Sequence, residues 1–482
     1  MSAACLLSSE GLRVLVLEAA HVPGGCSSSY KRKGYIFESG ATTLIGFDEY
    51  QPLRWLEEKL GITLNKWEIK PSMAVHTSQN RITRYKDQED WITEAGRVFG
   101  NKINQKKFWE LAGTVSEKIW KLSGLNNYFP PTSMSDLLSM IKLENIKNAP
   151  LLRFAFRSVA DIARDFHIFD SRFRNFLDEQ LIITAQSSAE DTPFLFGAPA
   201  LTYTNSSNYY IPGGLLNMIR QLENYLVAQG SQLHTKEAVS GISQVADGYR
   251  VKTEKSEYKA PLVVSNIPIW NMKDITNGAI KKHFQEKSKN YQSAWGAVTL
   301  GVVTSDNYPE ELPLHNQLML EELGPMPLTG AKSVFVSMSH PDDKERCGDN
   351  ERVLNISCHT PTQKWFQLNG AYETKKKDIK SYIIDIMKQR LPGFHNAEIK
   401  LAFAATPVTW QNWVYRKKGR VGGIPQSMSR SLIDWPSSKT PFDGLFSCGD
   451  TVFPGQGIPG VTLSGINVHK RVTNELNYNR QL

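Results

Sequence analysis

A strand, a glycine-rich loop and a helix end the chain, and this segment restricts the possible folds more than any other. It reads GLFSCGDTVFPGQGIPGVTLSG from Gly444 to Gly465. The strand ends on Gly449-Asp450, which places a carboxylate at the carboxyl edge of a sheet, where open α/β folds bind their ligands. The loop glycines allow tight backbone turns, and the first amide groups of the helix can face negative charge. The alternative is an ordinary glycine-rich loop with a capping Asp.

A second pattern of this kind lies near the amino terminus. The run LRVLVL is apolar and β-branched, as expected of a strand, and it ends on Glu18 with Gly24-Gly25 beyond it. In a dinucleotide-binding βαβ unit such an acid accepts hydrogen bonds from the ribose hydroxyls, and paired glycines let the backbone approach a pyrophosphate. A strand that ends on Glu by chance is the alternative.

A third piece lies in the middle of the chain. A Gly-Gly pair opens a helix that we expect from Leu215 to Ala228, and the strand QLHTKEAV, containing Val239, follows. The backbone of Val239 could receive an adenine ring, although a Val in a strand usually belongs to the core. Residues 103–185 are predicted to be mainly helical, and residues 293–410 contain several strand candidates. Nucleotide-binding material therefore occurs in three separated pieces.

Composition excludes several classes of function. The 482 residues, 40% of them hydrophobic, provide enough core for two or three domains. The net charge is +8, but the basic residues are dispersed and accompany no recognition motif, so nucleic acid is not an expected partner. Five widely spaced cysteines form neither a disulfide framework nor a metal site, and ten histidines show no H-E-x-x-H spacing. We expect no metal and a reducing compartment.

Any contact with a membrane is expected to be at its surface, because no run of about 18 apolar residues could span a bilayer. The segment from Leu151 to Phe169 mixes bulky apolar residues with arginines. It is predicted to be an amphipathic core helix. A helix that lies in the membrane interface is the alternative. We expect the protein on the cytoplasmic side, soluble or peripherally attached to a membrane surface.

Taken together, the three pieces resemble the FAD-binding amine oxidase and phytoene desaturase superfamily. Within it, GGCSSSYKRKGYIFESGATTLIGF, TPVTWQNWVYRKKGRVGG and the closing glycine-rich segment are similar to the carotenoid isomerase and carotenoid desaturase branch. The resemblance covers nearly the whole chain and is diffuse through residues 90–200. It implies an α/β fold in which a split, three-layer Rossmann-type domain binds FAD beside an inserted α+β substrate domain and a helical subdomain. The expected boundaries are residues 1–65, 206–275 and 436–482 for the FAD domain, 66–92 and 276–435 for the substrate domain, and 93–205 for the helical subdomain, a possible substrate entrance.

The resemblance also implies the roles of individual residues toward FAD. Glu18 would bind the adenosine ribose, and Val239 would contact adenine. The other expected contacts are Gly24, Gly25 and Cys26 beside the pyrophosphate, Gly449 and Asp450 at the ribityl and phosphate region, Gly460, Val461 and Thr462 at the flavin ring, and Gly40, Ala41 and Thr42 on its substrate side.

The chain departs from the family pattern at its front. Family members carry a first strand and a glycine-rich phosphate loop directly before a helix that resembles SAACLLSSEGLRVLVLE. Here that helix begins at Ser2, and the 17 residues before Glu18 do not supply the loop glycines. We therefore expect that Met1 is an internal methionine and that the domain, as given, lacks its first strand.

The resemblance implies an FAD-dependent oxidoreductase that acts on a long apolar polyene, as an isomerase, a desaturase or a saturase. Three aromatic residues, Trp410, Trp413 and Tyr415, are candidates to line the flavin end of a substrate tunnel, and core packing is their alternative. An amine oxidase and a non-catalytic relic are the competing interpretations. The sequence singles out no catalytic acid or base and gives no signal of the oligomeric state.

Overall fold

The computed structural model describes residues 1–291 and 294–481. Gln292, Ser293 and Leu482, which fall within two of the predicted domains, lie outside the described residues. The strands are β1 (Leu15–Leu17), β2 (Ser29–Arg32), β3 (Tyr35–Glu38), β4 (Trp67–Ile69), β5 (Met73–His76), β6 (Arg81–Arg84), β7 (Asn208–Tyr210), β8 (Gln232–His234), β9 (Val239–Val245), β10 (Gly248–Thr253), β11 (Glu257–Ala260), β12 (Val263–Ser265), β13 (Trp295–Ser305), β14 (His315–Met319), β15 (Ser333–Met338), β16 (Glu351–Pro361), β17 (Ile399–Ala405) and β18 (Leu445–Ser447). The α-helices are α1 (Ser2–Ser9), α2 (Pro52–Leu60), α3 (Gln88–Phe99), α4 (Lys102–Leu125), α5 (Met134–Ser139), α6 (Leu143–Lys147), α7 (Val159–Asp165), α8 (Ser171–Thr184), α9 (Phe194–Leu201), α10 (Leu215–Ala228), α11 (Ile269–Ile275), α12 (Gly278–Lys289), α13 (Gln363–Phe366), α14 (Tyr372–Arg390), α15 (Pro407–Val414) and α16 (Ile458–Gln481).

Two parallel strand pairs carry the segments that the sequence assigned to nucleotide binding. Strand β1 pairs with β8, and β12 pairs with β18. Helices α1, α2, α10 and α16 bury their apolar faces together beside these pairs, with Leu6, Leu56, Leu222 and Ile466 in one cluster. The parallel pairing brings the carboxyl ends of β1 and β8 to one edge, as the motifs require.

A seven-stranded mixed sheet forms the other half of the molecule, in the order β17-β13-β16-β15-β14-β5-β6. Alternate residues of β13 and β16 point to opposite faces, because side chains in a strand alternate with a period of two. One face, with Val298, Leu300 and Ile356, packs against α14 in a buried core. The opposite face is left to line a cavity.

The helical region corrects one prediction. The segment from Leu151 to Phe169 is not one helix: a 3-10 helix ends at Ala155, and α7 begins at Val159. Ser158 separates them because its side chain accepts a hydrogen bond from the Asp161 N–H and caps α7. The predicted α/β fold class is confirmed at the level of a mixed fold with a large central sheet. No helix in the described ranges is both long enough and apolar enough to cross a membrane.

Candidate active site

A cavity of about 630 Å³ lies between the glycine-rich loop before α16, the free face of the large sheet and the helical region. Its floor comes from β13, β15 and β16, and its far walls come from α4, α8 and α9. Apolar side chains such as Ile119, Leu195 and Phe335 dominate the far walls. Of the residues predicted to bind FAD or substrate, Cys26, Gly40, Ala41, Thr42, Trp410, Asp450, Gly460 and Val461 line this cavity.

The loop after Gly24-Gly25 and the loop after β3 form one wall. The Ala41 N–H donates a hydrogen bond to the Cys26 carbonyl oxygen at 2.9 Å, which holds the two loops together. Gly40 packs so closely that a Cβ there would lie 2.9 Å from the Trp410 ring and 3.0 Å from the Cys26 oxygen. The structure therefore brings the first glycine motif, the segment FESGATTL and Trp410 into contact.

Asp450 is held in this wall by a residue that the sequence analysis did not select. The Arg416 guanidinium donates a hydrogen bond to the Asp450 carboxylate at 2.6 Å, and both side chains are largely buried. Burial raises the pKa of the neighbouring Cys26 thiol, and the positive charge of Arg416 partly opposes this rise. Arg416 lies inside the segment already singled out as family-like, but a carboxylate 34 positions away gave no sequence signal of the pairing.

Two glycines keep the Asp450 backbone in place. Gly449 has φ +97°, and a Cβ there would lie 2.3 Å from the Asn266 Oδ1 atom. Gly423 has φ +74°, and a Cβ there would lie 2.0 Å from the Asp450 carbonyl oxygen. Any other residue at either position would be strained and would displace the strand end.

The first turn of α16 contributes backbone groups to the cavity. Gly460 and Val461 line it, and the Val461 N–H closes the turn by donating to the Gly457 carbonyl oxygen at 2.9 Å. Thr462 does not line the cavity, and its side chain is buried on another side of α16, because successive helical residues differ by about 100° around the axis.

The residues predicted to bind the adenosine half lie outside the cavity and close to one another. The Glu18 N–H donates to the His234 carbonyl oxygen, and the Glu237 N–H donates to the Glu18 carbonyl oxygen, each at 2.8 Å. Val239 begins β9 two residues later. Burial raises the pKa of the Glu18 carboxyl, which also accepts the Ala20 N–H at 2.8 Å.

The two groups of residues occupy one side of the molecule. Val14, just before β1, and Cys448, just after β18, pack in one apolar cluster with Phe446. Cys448 is two residues from Asp450, so Glu18 and Asp450 share this region. Gly24 and Gly25, with positive φ values of 106° and 57°, lie in the loop between the adenosine residues and the cavity.

Two of the three predicted tunnel aromatics need correction. Trp413 is 71% exposed and Tyr415 is 53% exposed, and neither lines the cavity. Trp413 is displaced from Trp410 by roughly 60° around α15, which turns it from the packed side toward solvent. Tyr415 follows the helix end with φ 58° and points away.

At its glycine-rich end the cavity contains buried polar atoms that make no hydrogen bond to the described protein. Gln186 is 2% exposed and Trp410 is 4% exposed, and their Oε1 and Nε1 atoms face no hydrogen-bond partner in the described structure. Asp450 is the one acid among the described lining residues, and no Lys or Arg is among them. A glycine cradle, a fixed carboxylate, an unpaired amide oxygen and an unpaired indole N–H fit a flavin, which is a flat ring with polar edges.

Comparisons with known proteins agree with this geometry. The family described as flavin-containing amine oxidoreductase matches residues 1–473. A chloroplast prolycopene isomerase of Daucus carota is 26% identical over 98% of this chain and 78% of its own. An all-trans-retinol 13,14-reductase of Danio rerio is 20% identical over 93% of this chain and 80% of its own. A solved putrescine oxidase superposes with a TM-score of 0.65 at 13% identity, covering 99% of this chain and 96% of the other.

The family match confirms the expected superfamily and FAD as its cofactor. Its coverage runs through both strand pairs, the large sheet and the helical region, so it includes every element that lines the cavity. This chain belongs to the flavin-containing amine oxidoreductase family.

Proposed function

We propose that this protein is an FAD-dependent enzyme of the carotenoid isomerase or desaturase type, acting on a long apolar polyene. The observation that carries the proposal is the cavity, which runs from the glycine cradle into a space lined by aliphatic and aromatic side chains. Such a lining favours a ligand without charges, because a charge there would lose its hydration and find no partner. The similarity to the prolycopene isomerase supports the same substrate class.

In this proposal the chain binds and orients, and bound FAD supplies electron or hydride exchange with the polyene. Glu18 and Val239 hold the adenosine half. Asp450, fixed by Arg416, holds the ribityl region. Gly40 and Trp410 border the part of the cavity where the flavin ring would face the polyene.

An amine substrate is not supported by the cavity. A buried ammonium group loses its hydration and needs a carboxylate partner, and the one acid among the described lining residues, Asp450, is already paired with Arg416 at 2.6 Å. The putrescine oxidase likeness, at 13% identity, concerns the fold alone.

The proposal includes reversible attachment to a lipid surface. An apolar surface patch surrounds the far end of the cavity, where Met140, Leu151 and Leu152 are lining residues. Its side chains are between 46% and 76% exposed and comprise Met134, Leu137, Leu138, Ile141, Leu143, Ile146, Leu152 and Phe156. Exposed Lys142, Lys147 and Arg153 accompany them, which suits anionic headgroups.

The test is turnover by the purified, FAD-loaded protein in liposomes that carry poly-cis or partly saturated carotenoids. New double bonds or changed double-bond geometry, with flavin absorbance present, would support the proposal. Protein without flavin absorbance, or peroxide release from polyamines with unchanged carotenoids, would contradict it.

A matched pair of variants links turnover to the cavity. Ala200 in α9 lines the cavity, whereas Ala228 at the end of α10 is exposed. Ala200→Phe is expected to lower turnover at least tenfold by occupying substrate space, with flavin absorbance retained. Ala228→Phe, the same substitution in another helix, is expected to leave turnover within twofold of the wild type.

A further inference from the structure

The cavity floor carries a row of polar side chains that the proposed function does not use. Thr299 of β13 pairs with Ser357 of β16, and Ser357 pairs with Phe335 of β15. The next row pairs Ala297 with His359. All five line the cavity, so Thr299, Ser357 and His359 form one polar group on adjacent strands, which we name the polar floor.

The polar floor has hydrogen-bonding capacity that the protein leaves unused. The side chains of Thr299, Ser357 and His359 make no hydrogen bond to any other residue that the structure describes. Ser333, on the same face, differs: it donates to the Glu179 carboxylate at 2.6 Å and accepts from the Gln317 amide at 2.9 Å. The buried Ser333 hydroxyl therefore has protein hydrogen-bond partners, which the polar floor lacks.

A hydrocarbon alone would be a poor occupant of this floor. It would remove water from two hydroxyls and an imidazole without replacing the lost hydrogen bonds, and each loss costs affinity. A ligand with an oxygen at one end replaces them. Both a hydroxyl and a carbonyl suit the set, because the Ser and Thr hydroxyls and a neutral imidazole can each donate and accept a hydrogen bond.

The charge of the floor selects a neutral oxygen. Burial lowers the pKa of His359 to about 4, so its ring is neutral at physiological pH. No Lys or Arg is among the described lining residues, so a carboxylate end would find no cation. The nearest ring contact of His359 is Trp295, at 6.3 Å between centroids, which is also uncharged.

We propose that Thr299, Ser357 and His359 bind a hydroxyl or carbonyl oxygen at one end of the ligand, so that the substrate is an oxygenated polyene. This rests on the proposed function and deepens it by naming the polar end group. The apolar walls take the chain of the ligand, and the polar floor fixes which end enters first.

The test compares three ligands with one carbon skeleton: retinol, retinal and the hydrocarbon axerophthene. Quenching of tryptophan fluorescence in the FAD-loaded protein reports binding, since Trp120 and Trp410 line the cavity. The wild type is expected to bind retinol or retinal at least tenfold more tightly than axerophthene. Whichever of the two binds more tightly identifies the preferred oxygen, hydroxyl or carbonyl.

The variant combining Thr299→Val, Ser357→Ala and His359→Phe removes the polar groups with little change in volume. It is expected to bind all three ligands within about threefold of one another, with axerophthene affinity retained and flavin absorbance unchanged. Phe335→Leu is the matched control in the same row, and it is expected to weaken all three ligands alike. Thr299→Val alone, a nearly isosteric change, gives an intermediate result if the combined variant does not fold.

Four outcomes would overturn the inference. Wild-type protein that binds axerophthene as tightly as retinol and retinal has no polar recognition. A combined variant that loses flavin absorbance would assign the floor to the cofactor instead. If carotenoids are turned over in liposomes but the oxygenated ligands gain no affinity, this inference fails while the proposed function stands; if none of the polyenes binds, both fail.

Discussion

Asp450 depends on one partner, Arg416, for its place beside the cavity. The two side chains are 12% and 16% exposed, so the pair is screened little by solvent. The Arg416 guanidinium also donates through Nε to the Arg420 carbonyl oxygen, which fixes its orientation. A buried carboxylate left without its guanidinium would have to be protonated or hydrated, and either change would alter the strand end.

We expect Arg416→Met to reduce flavin content at least fivefold and to lower the free energy of unfolding by about 2 kcal/mol. Flavin absorbance per protein and urea denaturation measure the two effects. Lys417→Met is the matched control, because its ion pair with Asp274 is exposed and such pairs contribute about 0.5 kcal/mol. Equal losses in both variants would show that Arg416 has no special role.

Single residues could be predicted where a local pattern defines them. Glu18 directly follows β1 and Asp450 lies three residues beyond the end of β18, so the pattern of an apolar strand followed by an acid placed both near a sheet edge. The role of Arg416 could not be predicted, because no local sequence pattern indicates that a guanidinium after α15 pairs with the Asp450 carboxylate after β18. The same limit applies to Thr299, Ser357 and His359, because their meeting on one face of adjacent strands depends on strand register.

At the scale of elements, helices with a clear amphipathic pattern and end signals were predicted well. The helix α10 runs from Leu215 to Ala228 as expected. Its start depends on a distant residue: the Leu215 N–H donates to the Glu38 carboxylate at 3.1 Å. The segment from Leu151 to Phe169 was mispredicted as one helix because its apolar residues have helical spacing. The Ser158 cap starts a new helix within the segment and interrupts that pattern.

The apolar surface patch on α5, α6 and the adjoining 3-10 helix gives a prediction for membrane binding. Changing Leu138, Ile141 and Phe156 together to Ser should reduce binding to anionic phosphatidylserine vesicles at least tenfold, because each exposed side chain loses apolar area that lipid would cover. Vesicle sedimentation at low salt measures the effect.

The control for the patch replaces three exposed apolar residues elsewhere, Ile103, Val227 and Leu323, by Ser. These lie in the first turn of α4, near the end of α10 and in the turn after β14, and none of them is next to a residue that lines the cavity. Vesicle binding that falls equally in both triple variants, or in neither, would remove the patch from the proposed function.

The cavity lies between two halves of the molecule, the strand pairs and the large sheet. The sequence predicted the type of structure in each half better than the contacts between the halves. The strands of the pairs were predicted from the motifs, and the sheet was predicted from several strand-like runs of sequence. Their contact is made by Gly40 against Trp410 and by Asp450 with Arg416, pairs that are 370 and 34 positions apart. Such contacts depend on the packing of complete domains, which local spacing does not record.

Burial of histidines across the molecule predicts how stability changes with pH. His315 on β14 is 2% exposed, its Nδ1 lies 2.8 Å from the Ser337 Oγ, and burial lowers its pKa to about 4. Below pH about 6.5 the unfolded chain binds a proton at this residue that the folded chain does not, so stability falls as pH falls toward 4. Buried carboxyls with raised pKa values, such as Glu38 and Glu179, act in the opposite sense, so the comparison must be made against a variant.

Between pH 7.5 and 5.5, His315 should therefore remove about 1 kcal/mol from the free energy of unfolding. In His315→Gln this part of the pH dependence should disappear, so the difference between wild type and variant shrinks by that amount as the pH falls. Urea denaturation at several pH values measures it. Ser337→Ala removes the hydrogen bond without removing a titrating group, so it should lower stability by the same amount at every pH. A pH dependence in His315→Gln identical to that of the wild type would mean that the buried imidazole is protonated equally in both states, and the burial argument would fail.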